Sequence, residues 1–193
     1  MKHWFKHTAK LAVAVGLLAL LPLLTSCASS DVALYAKEQP SLKLEQYFNG
    51  KLIGHGMVLD RGGEVTRRFV VGITGTLSTD ASGTQTLVLD EQFDWSDGKR
   101  EARIWTLKRV AAGEWSGTAA DVVGNAVGKV GGNALNWRYV LALPYKDTTL
   151  NLDFDDWMFL IDDKVMLNKA VFSKYGIRLG EILIRSEERR VGK

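Results

Sequence analysis

The chain has 193 residues, 46% of them hydrophobic, with 25 Lys and Arg against 22 Asp and Glu, three histidines and a single cysteine. That length suits one domain with its own core; one cysteine excludes a disulfide framework, and so few His and Cys leave little for a zinc site. The formal charge of +3 rests on Lys2, Lys6 and Lys10, so the basic balance belongs to the N-terminus and gives no argument for a nucleic-acid partner.

Those three lysines precede an apolar run, Leu11 to Leu24, broken only by Gly16 and Pro22. The run falls short of the about 20 apolar residues a spanning helix needs. A basic start, a short apolar stretch and small residues after it read as a secretory signal peptide over residues 1–26. Leu24-Thr25-Ser26-Cys27 resembles the bacterial lipobox, an aliphatic residue and two small ones before the cysteine that receives diacylglycerol. Lipidation at Cys27 is therefore expected, with cleavage before it and acylation of the new amino group. Several chains on one residue anchor firmly, where one chain holds only marginally. Ala28 and Ser29 follow, with no Asp directly after the cysteine, which favours the outer membrane, facing the periplasm. Loss of the signal takes the formal charge to zero and leaves His55 as the remaining histidine. Residues 27–41 read as a lipidated tether.

From Leu42 the text changes. Leu42 to Asn49 has room for a short helix. Then β-rich runs alternate with turn signals: "KLIGHGMVLD" and "RGGE", "VTRRFVVGITGTL" and "STDASG", "TQTLVLDEQFDW" and "SDGK", "REARIWTLKRV" and "AAGE". The pattern continues through "NAVGKV", "LNWRYVLALPY", "TLNLDFDDWMFLI" and "VMLNKAVFSKY". Roughly ten strands at short, regular spacing predict an all-β, antiparallel fold over residues 42–185, a barrel or a β-sandwich.

Alternation assigns the faces. Leu87, Leu89, Phe93 and Trp95 share a face with Glu91. Leu150, Leu152, Phe154, Met158 and Leu160 share one with Asp156. Met166, Ala170 and Phe172 share one with Asn168. Glu91, Asp156 and Asn168 are thus expected to point inward, where a carboxylate is costly unless partnered. Arg103, on one face with Trp105 and Leu107, and Arg138, between Trp137 and Tyr139, are the natural partners. An ion pair of Glu91 or Asp156 with Arg103 or Arg138 inside the barrel is expected.

Other chemistry is thin. "GNAVGKVGG" has three residues between Gly124 and Gly128 and Val130 after Lys129, which departs from a phosphate loop. The acidic "DFDDW" and "IDDK" lack calcium-loop spacing. No catalytic set, metal or cofactor is expected. His55 is the one side chain that titrates near neutrality by its ordinary value, and it sits on a strand between Gly54 and Gly56.

"FNGKLIGHGMVLDRGGEVTRRF", "LDEQFDWSDGKREARIWTL", "GTAADVVGNAVGKVGGNALNWRYVLAL" and "DFDDWMFLIDDKVMLNKAVFSKYGIRLGE" resemble the family called domain of unknown function 3833. The resemblance spans Leu42 to Glu181 and implies a proteobacterial lipoprotein; it brings no assigned activity and no catalytic residues. Its motif positions include Asp121 as well as most of the inward polar set. The strand count favours a lipocalin-like barrel. "SEERRVGK", residues 186–193, reads as a charged tail of foreign appearance outside the barrel.

Two classes of function follow. One is a membrane-tethered barrel that binds a small apolar or lipid ligand, lined by Glu91, Arg103, Trp105, Trp137, Arg138, Tyr139, Asp156 and Asn168. The other is a structural or interaction lipoprotein with a solid barrel core in an envelope complex. An enzyme ranks third.

Overall fold

The computed structural model describes residues 31–188; Cys27 and the apolar run before it lie outside the described residues. Ten strands run in chain order: β1 Gly50–Asp60, β2 Val65–Thr79, β3 Gln85–Trp95, β4 Arg100–Ala111, β5 Glu114–Thr118, β6 Val122–Gly131, β7 Ala134–Tyr145, β8 Thr148–Leu160, β9 Val165–Lys174 and β10 Ile177–Glu188. Each pairs antiparallel with its chain neighbour, and β10 pairs with β1, so the sheet closes as a barrel. Closure decides against the sandwich and removes the edges that would otherwise invite pairing with other chains.

The hairpins follow from their turn residues. Asp60 Oδ1 accepts from the backbone N–H of Gly62 and Glu64 at 2.8 and 3.0 Å. Asp80 Oδ1 does the same for Ser82 and Thr84 at 2.9 and 3.0 Å. Each Asp side chain supplies the acceptor the tight reversal would otherwise lack.

Apolar residues at every second position make the interior. Leu87 and Leu135 are almost wholly buried, and each contributes about 1.5–3 kcal/mol relative to an exposed side chain. Glycines set where rings lie. Gly56 pairs with Phe69, Gly128 with Trp137 and Gly180 with Phe172 across neighbouring strands. A Cβ on these glycines would stand 2.3, 2.3 and 2.4 Å from the partner ring. The rings therefore lie flat against bare backbone. This is the physical use of "GNAVGKV": a Cβ-free floor under Trp137.

One end of the barrel is plugged. Helix α1, Leu44–Tyr47, crosses it, burying Leu42, Leu44 and Phe48 in the main core cluster. The Tyr47 hydroxyl meets Ser186 Oγ at 2.9 Å. The hairpins β1–β2, β3–β4, β5–β6, β7–β8 and β9–β10 gather at the other end.

Two boundaries differ from the sequence reading. The segment read as tether is ordered from Asp31 on. Val32–Tyr35 forms a 3-10 turn, and Tyr35 packs edge-on against Trp157 and Phe159 at 5.9 and 5.1 Å. The main-chain N–H of Leu42 then donates to Gly132 at 2.8 Å. The barrel also does not stop at residue 185. β10 continues through Glu188, which pairs with Leu52, and Ser186 is buried. Ser186 and Glu187 read as the start of a solvated tail, yet with Arg185 they alternate out, in, out like the rest of the strand.

Candidate functional site

The inward faces of β3, β4, β7, β8 and β9 bring polar groups into an aromatic interior. Glu91 stands directly opposite Arg103 in the β3–β4 register. Asp156 lies between Trp137 on β7 and Ala170 on β9. Asn168 lies between Met158 on β8 and Ile184 on β10, and its Nδ2 donates to Asp156 Oδ1. Rings surround this centre. Trp105 meets Trp137 at 5.7 Å and Tyr139 at 5.3 Å, both edge-on. Tyr139 stacks on Phe154 at 4.8 Å, and Phe154 on Phe172 at 5.6 Å.

Arg103 turns to Asp121, in the turn before β6. Its Nε donates to Oδ1 and Oδ2 at 3.2 and 3.0 Å, and an Nη donates to Oδ2 at 2.8 Å. Such forked pairing is the strong form of the interaction. It leaves Glu91 without a hydrogen-bonded partner among the described residues. The expected ion pair of Glu91 or Asp156 with Arg103 or Arg138 is therefore not formed; Arg103 is taken by Asp121.

Arg138 is not part of the interior at all. Trp137 and Tyr139 both point inward, so the residue between them points out. It is exposed and meets Asp155 on the outer surface at 3.3 Å. The other seven candidates, Glu91, Arg103, Trp105, Trp137, Tyr139, Asp156 and Asn168, share the interior. Asp121 is the residue that reasoning from alternation missed. It lies in a turn, where period-two patterning gives no face, and only the family motif carries it. His55 is exposed on the outer face of β1, away from this centre. Among the described residues no group of His, Cys, Asp and Glu is placed to hold a metal ion.

Burial shapes the electrostatics. Loss of solvent raises the Glu91 carboxyl to about 7; Arg103 opposes the rise, and Asp121 and Asp90 add to it. Burial likewise raises Asp156 to about 7, with the Asn168 amide opposing and Glu91 adding to it. Burial, and then the Asp156 charge, hold the Tyr139 hydroxyl well above its ordinary value. Each carboxyl thus hampers ionisation of the other.

The interior is not uniformly closed. Leu87, Leu107, Leu135 and Met166, toward the plugged end, are sealed. Glu91, Tyr139 and Ile184, midway along inward faces, are only half-buried, as is Phe93, two residues from the unplugged end of β3. Inside a closed barrel such residues reach solvent-sized space only within the lumen. Arg103 keeps 24% of its side-chain surface accessible and Asp121 35%, toward the unplugged end. A separate concavity of about 750 Å³ lies outside, over Met57, Val70, Leu167 and Leu183 with His55, Arg68 and Arg185 around it. These are outward positions of β1, β2, β9 and β10, so this groove is not the lumen.

A closed antiparallel barrel of ten strands, plugged at one end by a short helix, places the protein in the lipocalin-like class. Similarity to a solved structure agrees in fold. The S-type phycobiliprotein lyase CPES from Guillardia theta matches with a TM-score of 0.55 at 7% identity, covering 85% of this chain and 100% of that one. A protein of unknown function of the DUF3598 family from Nostoc punctiforme PCC 73102 matches at 0.47, with 12% identity over 84% of this chain and 53% of that one. EF1p2_mFAP2b bound to DFHBI matches at 0.39, with 8% identity over 76% of this chain and 100% of that one. No curated protein sequence matches the chain. Residues 21–187 match the family described as Protein of unknown function (DUF3833), and the chain belongs to that family.

Proposed function

We propose that this protein is a lipid-anchored envelope protein whose barrel holds a small, slim apolar or lipid ligand in its lumen. The observation that carries the reading is the half-burial of Glu91 and Tyr139 in mid-barrel, beside a polar centre that a purely structural core would not need. Buried polar groups cost stability, and apolar residues of similar volume are often as good or better for the fold. Ligand sites are typically apolar cavities with a few convergent polar groups, which is the composition here. The lipocalin-like fold supports the reading, since barrels of this size can enclose a ligand. Lipidation at Cys27 would hold the barrel at the membrane, on the periplasmic side of the outer membrane.

The interlocked rings at the Trp105–Trp137–Tyr139 cluster and the outer apolar groove favour a second reading, a solid barrel that docks within an envelope complex. Titration with N-phenyl-1-naphthylamine separates the two. The chain from Asp31 onward contains the whole barrel and its core, and is the protein to titrate. One saturable site is expected, weakened by Phe93→Ala or Trp137→Ala more than by Lys146→Ala on an exposed turn. Binding that does not saturate, with variants that lose only stability, would establish the solid barrel.

A further inference from the structure

The polar centre has more acceptors than donors. Arg103 and Asp121 satisfy each other through three hydrogen bonds and cancel in charge. What remains among the described residues is the Glu91 carboxyl, unpartnered, the Asp156 carboxyl, and the Asn168 side chain, whose one hydrogen bond there is the one it donates to Asp156. Asn168 is 9% exposed, and its Oδ1 is buried with no partner. Glu91 and Asp156 lie within electrostatic reach of each other. The groups facing Glu91 are Arg103 from β4, Asp121 from the β5–β6 turn, Tyr139 from β7 and Asp156 from β8; β2 offers only the apolar Ile73 as its register partner. Among the described residues no cation beyond Arg103 faces the two acids.

We propose that the ligand is an amphiphile with a cationic, hydrogen-bond-donating head, an alkyl ammonium in chemical class, seated between Glu91 and Asp156 with its chain along the aromatic lumen. An ammonium has three donors and no acceptor. It would supply the missing opposite charge to both acids and a donor in reach of the Asn168 carbonyl oxygen. Phe93, Trp105 and Tyr139 present rings around the same space, and ring faces attract cations. An anionic head would face two acids with the one guanidinium already committed. Filling the centre with a cation also favours the ionised form of both carboxyls, so binding should strengthen as pH rises through about 7.

This inference rests on the lumen reading above, and the test keeps the two apart. Dodecylamine, dodecanol and dodecanoate compete with N-phenyl-1-naphthylamine for the barrel at about pH 8.5 and about pH 5.5, on either side of the two acids' titration. The amine should compete about tenfold better than the alcohol at the higher pH, with dodecanoate the weakest. That advantage should vanish at the lower pH, where the amine stays charged and the acids do not. Glu91→Gln should erase it at the higher pH, and Asp156→Asn serves as the second variant. The inference is overturned if the alcohol or dodecanoate equals the amine at the higher pH, or if both variants keep the preference. Either result with the naphthylamine still bound leaves the lumen reading standing. Failure of the naphthylamine itself to saturate one site overturns both.

Discussion

Glu91→Gln is the perturbation with the clearest expected sign. Burial holds the Glu91 carboxyl near 7 in the folded chain against 4.5 as its ordinary value. Between those values the folded state binds a proton that the unfolded state has lost, so stability falls as pH rises through this window. Each tenfold step in acidity is worth about 1.4 kcal/mol. The full cost above pH 7 is therefore about 3–4 kcal/mol at most, reduced where solvent still reaches the half-buried carboxyl. Asp156 adds a cost of the same sign, but the two acids repel and their costs do not simply sum. Gln keeps the shape and cannot ionise. The variant should match wild type near pH 4 and exceed it near pH 8.5; at about 2–4 °C per kcal/mol for a domain of this size, the gain is about 5–10 °C in Tm. Thermal unfolding followed by far-ultraviolet circular dichroism across that pH range reads it directly. Parallel Tm–pH profiles for variant and wild type would refute the placement of an ionisable Glu91 in a desolvated lumen.

Other outcomes follow from neighbouring contacts. Asp121→Asn weakens the hold on Arg103 and removes a negative charge that raises Glu91, so the pH window of lost stability should move down; an unchanged Tm–pH midpoint would contradict the arrangement. Gly128→Ala places a Cβ 2.3 Å from the Trp137 ring and should destabilise by about 1–3 kcal/mol in urea unfolding, with Trp137→Leu in the same chain recovering part of the loss. Cys27→Ser should abolish labelling by radioactive palmitate and release the protein from membranes; labelling that survives would remove the proposed anchor.

Much of the fold was legible because period-two alternation is a local signal. It placed Glu91, Asp156 and Asn168 inward before any pairing was known, and the turn residues around Asp60 and Asp80 marked real hairpins. What it could not supply was the company each side chain keeps. Glu91 and Arg103 are register partners, yet the guanidinium bends away to Asp121, a turn residue that no strand pattern assigns to a face. The aromatic neighbours of Arg138 suggest an interior place, yet those neighbours are the reason it points out. At the C-terminus the density of charge masks alternation, and the small Ser186 that faces Tyr47 is hidden among its charged neighbours. The aromatic glycine pairs were equally hidden, since Gly128 and Trp137 meet only through strand register.

The lumen itself is tested most directly by heavy-atom diffraction. Crystals of the barrel soaked in 1-bromododecane should show an anomalous bromine peak inside the barrel, within the ring of Phe93, Tyr139 and Phe154. Bromine found only in the outer groove over Met57, Leu167 and Leu183, or nowhere in the barrel, would contradict the account.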